Sequence, residues 1–383
     1  MDSTSSKIYL DYNATTPLAT EVVDCVTEAL TNACANPSSS TDIGRKAKEL
    51  IDQSRKKIAT MLNAEASEVI FLSGGTEANN MVLQTALKYF KSWAGKSMQM
   101  SSCKPQIVTT NVEHDAILLP LKHFEEEQQA DVDYVPKQIR PHTCLVTVML
   151  ANNETGVIMP VAEISRKIRK LNEIRQMEGL CQILLHTDAA QAIGKITVDA
   201  KELGVDYLTV VGHKVIYWIL RASNWSTVRQ ELWNEGDSKI PLYPMFFGGG
   251  QEHRFRPATK NTPMIHGLGC AAELISRNLK IYQGKMMKMR DLLEQSLAVR
   301  THSVSFRKTA LTCGEILSRC PELTASTGAA CHGTGKPSEI LMASGVTFED
   351  ARSDVRLSVG RDTTSKQIEQ TVLMLKTAVN LLD

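Results

Sequence analysis

Gln182-Ile183-Leu184-Leu185-His186-Thr187-Asp188-Ala189-Ala190-Gln191 and, further on, Tyr207-Leu208-Thr209-Val210-Val211-Gly212-His213-Lys214 are the stretches on which the reading of this chain turns. Each opens as an apolar run of strand length and closes on polar residues, Asp188 and Gln191 in the first, His213 and Lys214 in the second. A carboxylate beyond one strand and a lysine beyond the next suit pyridoxal phosphate: Asp188 would keep a pyridine nitrogen protonated, and Lys214 would hold the aldehyde as a Schiff base. Each half also has an ordinary explanation. An acidic residue favours a helix N-terminus, and a lone lysine is most often solvated.

Outward from these stretches, strand and helix patterns alternate. Glu68 to Leu72, Gln106 to Thr110, Val132 to Val135, Cys144 to Leu150, Gln182 to Leu185 and Asp206 to Val211 read as buried strands. Ile43, Ala47, Leu50, Ile51, Ile58 and Leu62 recur at helical spacing, and Val161 to Gln176 and Ser365 to Leu382 also read as helices. The alternation predicts an α/β protein with a mostly parallel sheet covered by helices. In such a fold, ligand-binding residues gather beyond the carboxyl ends of strands.

Three more candidates fall there. Ser73-Gly74-Gly75-Thr76-Glu77 follows a strand and opens a helix, so its backbone N–H groups and the Thr76 hydroxyl suit a phosphate, although a Gly-rich turn with Thr76 as N-cap is the plainer reading of this segment alone. Glu113-His114-Asp115 places a histidine where it could stack on an aromatic ring or move protons; the plainer reading is a surface histidine. Asn152-Asn153-Glu154-Thr155-Gly156 offers an amide to a phenolic oxygen, or is simply an Asn/Gly turn. Asp188 and Gln191, three apart, can face the same way from one helical turn.

With 43 Lys+Arg against 42 Asp+Glu, the net charge of +1 gives no polybasic signature for nucleic acid or membrane surfaces. Small molecules and other subunits are the expected partners. The opening Met1 to Lys7 has neither the apolar core of a secretory signal nor the arginines of a transit peptide, which predicts a cytosolic protein. Nine scattered cysteines without Cys-x-x-Cys spacing predict reduced thiols and no structural metal.

Longer motifs carry a resemblance. Tyr9-Leu10-Asp11-Tyr12-Asn13-Ala14-Thr15-Thr16-Pro17, Asn36-Pro37-Ser38-Ser39, Gly44-Arg45, Gly248-Gly249-Gly250-Gln251-Glu252, Gly328-Ala329-Ala330-Cys331 and Arg356-Leu357-Ser358-Val359-Gly360 resemble the cysteine desulfurase and selenocysteine lyase class. Val112 to Asp115, Met149 to Pro160, Val211 to Lys214, Leu242 to Met245 and Cys331-His332 look most like the animal selenocysteine lyases. The resemblance implies pyridoxal-phosphate fold type I. A seven-stranded-type sheet would lie in a large domain (18–265), with a smaller α+β domain from 1–17 plus 266–383.

It also implies roles. Lys214 would bind the cofactor covalently, Asp188 partner its ring nitrogen and His114 stack on the ring. Asn153 and Gln191 would contact the phenolic oxygen or the substrate. Gly75, Thr76 and His213 would hold the phosphate, with Thr259 supplied from the second subunit of a homodimer. Asn13, Asn153 and Arg356 would bind the amino acid, Arg356 through its carboxylate. Cys331 would meet the substrate's sulfur or selenium. The implied activity is decomposition of L-selenocysteine to L-alanine and selenide, with a possible acceptor protein for the selenide. The alternatives are a cysteine desulfurase acting on L-cysteine, or an impaired isoform serving as an interaction protein.

Three segments depart from the class pattern: after Lys137, where Gln138-Ile139-Arg140-Pro141 replaces a connector and helix; after Lys214, where Val215 to Arg221 replaces a glycine-rich turn and strand; and between about Val299 and Leu323, where the small-domain strands are shortened or replaced.

Overall fold

The computed structural model of the protein describes residues 7–95, 100, 102–135, 138–214, 219–222, 240–297, 303–305, 311–326 and 337–379. The first part of the chain forms β1 (Ile8–Tyr9), α1 (Thr20–Asn32), α2 (Asp42–Met61), β2 (Val69–Phe71), α3 (Gly75–Ala94), β3 (Gln106–Thr109), α4 (Asp115–Glu126) and β4 (Asp131–Tyr134). There follow β5 (Thr143–Thr147), α5 (Val161–Met177), β6 (Leu184–Asp188), α6 (Ala200–Leu203), β7 (Tyr207–Val210) and β8 (Ile219–Ala222). The remainder forms α7 (Thr262–Leu297), β9 (Ser303–Ser305), α8 (Cys313–Ser318), β10 (Leu323–Thr324), α9 (Glu339–Ala343), α10 (Phe348–Arg352), β11 (Asp354–Arg356) and α11 (Ser365–Ala378).

Alternate side chains of the strands enter different cores, as a sheet buried on both faces requires. Val69, Phe71, Val146, Leu185 and Leu208 pack on one face with Ile51 and Ile58 of α2. Ile70, Leu145, Leu184 and Tyr207 pack on the other with Met81 and Phe90 of α3. The seven strands lie in the order β2-β8-β7-β6-β5-β3-β4. The pairs from β7 to β4 are parallel, whereas β8 is antiparallel to both β7 and β2. Two reversals restore direction, so β2 ends on the same sheet edge as β3, β5, β6 and β7. That is why the Gly74-Gly75 turn opens beside Asp188.

The segment after Lys214 holds a finding of its own. Within this departure from the class pattern, Ile219–Ala222 still form a strand at the position between β2 and β7. The first departure is bridged directly, with β4 leading into β5 and no helix among the described residues between them. In the third, β9 pairs antiparallel with β11, and α8 follows.

A separate core joins Ile8, Leu10, Met289, Leu293, Ile316, Val355, Ile368 and Leu375. Helix α7 reaches both cores, with Ile265 and Leu268 in the sheet core and Met289 and Leu293 in the other. The N-terminal segment ties the two together. β1 pairs parallel with β10, Asp11 bridges to Ser358, and the Thr16 N–H donates to the His213 carbonyl at 3.0 Å. Its approach is tight: a Cβ on Gly360 would lie 2.0 Å from the Tyr12 ring.

Candidate active site

Strand ends assemble one cavity. Asp188 closes β6, His114 stands just past β3, Asn153 past β5, and His213 and Lys214 past β7. Gly75 and Thr76, in the first turn of α3, complete the wall with Gln191. Every proposed cofactor residue therefore lines this cavity except Thr259, which is exposed and lies elsewhere. Asn13 and Arg356 line an adjoining cavity of about 410 Å³ that shares Gln191 with the first. Cys331 lies outside the described residues.

The ordinary explanations fare unevenly. Thr76 does not cap its helix: Gly74 is the N-cap and no side-chain cap bond forms there. The first-turn N–H groups and the Thr76 hydroxyl are thus placed as a phosphate site demands. Asp188 does cap its turn, its Oδ1 accepting the Ala190 N–H at 2.8 Å, while Oδ2 accepts from Asn79 Nδ2 at 2.8 Å. Each carboxylate oxygen retains a second lone pair for a ring N–H. Asn152 is the structural member of its turn, its Oδ1 accepting from the Glu154 and Thr155 N–H groups at 2.9 and 2.8 Å. Asn153 faces the cavity, and its buried Oδ1 has no partner among the described residues.

His114 is the N-cap of α4, its Nδ1 accepting from the Ala116 N–H at 3.0 Å. The neutral ring therefore carries its proton on Nε2. His213 is held below the ordinary histidine range by burial, then by Lys214 and His114. Beneath the cavity floor, His186 contacts Thr147 at 2.8 Å and Thr209 at 3.0 Å, and burial lowers it to about 4. Glu113 accepts from Thr110 at 2.6 Å and from the Met149 N–H at 2.9 Å; burial raises it to about 8.

Arg356 is anchored for recognition. Its Nη2 meets Asp11 Oδ1 at 3.1 Å, its Nη1 donates to the Asn153 carbonyl at 3.4 Å, and its buried Nε has no partner among the described residues. Sequence reasoning missed three residues here: Asn79, which supports Asp188; Asp11, which supports Arg356; and Lys195, which donates to Asn13 Oδ1 at 2.6 Å and Gln191 Oε1 at 2.7 Å. Lys195 alone left a signal, standing four residues after Gln191 on the same turn face.

Donors at a helix start, a lysine and a doubly supported carboxylate fit pyridoxal phosphate, as does the Asn153 Oδ1 that lines the cavity with no partner among the described residues. On the carboxyl edge of a sheet of this order, they define a pyridoxal-phosphate-dependent enzyme of fold type I. The sequence profile of class-V aminotransferases matches residues 8–218, and the chain belongs to that pyridoxal-phosphate-dependent family.

Selenocysteine lyase of Bos taurus is 45% identical over 422 residues, covering 99% of this chain and 94% of that protein. Because this alignment is longer than the 383-residue chain, the bovine protein carries stretches that this chain lacks. Cysteine desulfurase IscS of Methanosarcina thermophila is 32% identical, covering 99% of this chain and 94% of its own. Among solved structures, a NifS-like protein superposes with a TM-score of 0.82 at 26% identity, covering 98% of this chain and all of the other.

Proposed function

We propose that the chain is a selenocysteine lyase, converting L-selenocysteine to L-alanine with release of selenium. The observation that carries this reading is the convergence of Lys214, Asp188, His114 and Gln191 on one cavity that adjoins Arg356. The identity to selenocysteine lyases, well above that to cysteine desulfurases, supports the choice of substrate.

Arg356 binds the substrate carboxylate, for which a planar fork already oriented by Asp11 and the Asn153 carbonyl is suited. Asn13 and Asn153 border the same binding space. Gly75, Thr76 and His213 hold the cofactor phosphate. Asp188 would keep a proton on the cofactor's ring nitrogen, and His114 would pack on the ring. When bound, pyridoxal phosphate supplies an electron sink for the charge left at the substrate Cα. Lys214 removes the Cα proton and returns it, a role open to an amine held at the substrate carbon. Cys331 receives the departing selenium, or gives the proton that Cβ takes up as the C–Se bond breaks.

We further propose a cytosolic homodimer in which Thr259 serves the partner's phosphate site; its exposure away from its own cavity agrees with this. The selenium, which leaves at the zero-valent level, would pass to an acceptor protein and would reach selenide only with a two-electron reductant such as a thiol. Alanine formation from L-selenocysteine and from L-cysteine, measured side by side, tests the reading. It predicts turnover of the selenium substrate and loss of activity in Lys214→Ala. Preferential turnover of L-cysteine would instead make the chain a cysteine desulfurase.

A further inference from the structure

Gln191 lines both cavities and Asn13 the second, and each side-chain amide can present either oxygen or N–H to a ligand. Their orientation is set from behind. The half-buried Lys195 donates to Asn13 Oδ1 at 2.6 Å and to Gln191 Oε1 at 2.7 Å, and among the described residues no carboxylate pairs with it. An ammonium has no acceptor, so both amides must turn their oxygens to it. Gln191 Nε2 then donates one hydrogen to the Asn13 carbonyl at 3.0 Å, and the other is the only polar hydrogen it can offer the cofactor cavity. Asn13 Nδ2 donates in turn to the Asn153 carbonyl at 3.2 Å, the oxygen that also accepts from Arg356.

We propose that Lys195 is a positioning residue: its ammonium locks the amides of Gln191 and Asn13 so that Gln191 faces the cofactor as a hydrogen-bond donor and Asn13 braces the strand end that carries Asn153. Burial, then the nearby cations Lys214 and Arg356, lower the lysine to about 7, so the ammonium that holds both amide oxygens is the form present below that pH. Lys195 and Lys214 line a common third cavity. The inference rests on the first cavity being the cofactor site; the identity of the amino acid substrate does not enter it.

The test is a double-mutant cycle between Lys195→Met and Gln191→Ala, with pyridoxal phosphate affinity and the visible absorbance maximum of bound cofactor as readouts. Acting through Gln191, Lys195→Met should weaken cofactor affinity about tenfold, the worth of one net hydrogen bond. It should also displace the absorbance maximum. Introduced into Gln191→Ala, the same change should lose most of its effect on affinity and leave the maximum in place, the remainder being what Asn13 contributes through the Asn153 strand end. An equal loss in both backgrounds, or no loss in either, would overturn the proposal. If Lys195→Met does not fold, Lys195→Gln, which no longer dictates amide orientation, is read by the same criteria. Cofactor binding by the parent protein tests the site assignment separately, so tight parental binding with indifferent variants refutes the role of Lys195 alone.

Discussion

Replacing Asp188 by Asn removes one charge and almost no volume, and the surroundings show what each property contributes. Asp188 is 6% exposed and accepts from the Ala190 N–H and from Asn79 Nδ2. An Asn can keep its oxygen on Ala190, which turns its own NH₂ toward the NH₂ of Asn79. Asn79 can relieve this by rotating its amide, because its Oδ1 has no partner to lose. Exchanging a charge-assisted bond for a neutral one should cost about 1 kcal/mol of stability. In a chain of this size that lowers Tm by no more than a few degrees.

Catalysis should suffer more. Without the carboxylate, the ring nitrogen loses the charge that holds its proton, and kcat should fall about 10²- to 10³-fold, as when one preorganised charge contact is removed from a closed site. Alanine formation and thermal unfolding, measured on the same cofactor-loaded preparation, separate the two effects. Activity within about threefold of the parent would refute the role given to Asp188, and so would a loss of activity fully explained by unfolding.

Glu252→Ala would strand Arg55, whose Nη1 and Nη2 meet the carboxylate at 2.9 and 2.7 Å, together with the Phe71 N–H. Urea denaturation should show a loss of about 3–5 kcal/mol, as for a broken buried ion pair; a loss below about 1 kcal/mol would show that the pair does not anchor the strained Glu252-His253-Arg254 loop. Gly360→Ala would force a methyl into the Tyr12 ring and separate the N-terminal segment from the 356–360 strand end. Soluble protein of unchanged Tm would contradict that packing. Glu113 supplies a pH test. Its folded-state value of about 8 exceeds the ordinary 4.5, so its contribution is fully present below 4.5 and is lost as pH rises toward 8. Glu113→Gln should flatten the fall in Tm across that window, and an unchanged slope would reject the assignment.

The chain betrays its sheet because strand residues alternate between two apolar cores, as at Val69, Ile70 and Phe71. The order of site residues was legible for the same reason: each follows a strand that ends on one edge. What escaped was tertiary. Asn79 is one more polar position on α3 until that helix crosses β6, and Asp11 gains its meaning only when Arg356 arrives from the far end of the chain. The antiparallel insertion of β8 was also hidden, since direction leaves no trace in a four-residue strand. Thr76 shows the opposite error: a helix-capping residue type stands inside the helix because two preceding glycines take the turn.

The central claim is that Lys214 and Asp188 frame a cofactor cavity. Saturating the purified protein with pyridoxal phosphate, reducing it with borohydride and mapping the modified peptide by mass spectrometry tests this directly. The account predicts pyridoxyl label on Lys214, and none at that position in Lys214→Ala. Label confined to another lysine, or no label in folded, saturated protein, would contradict it.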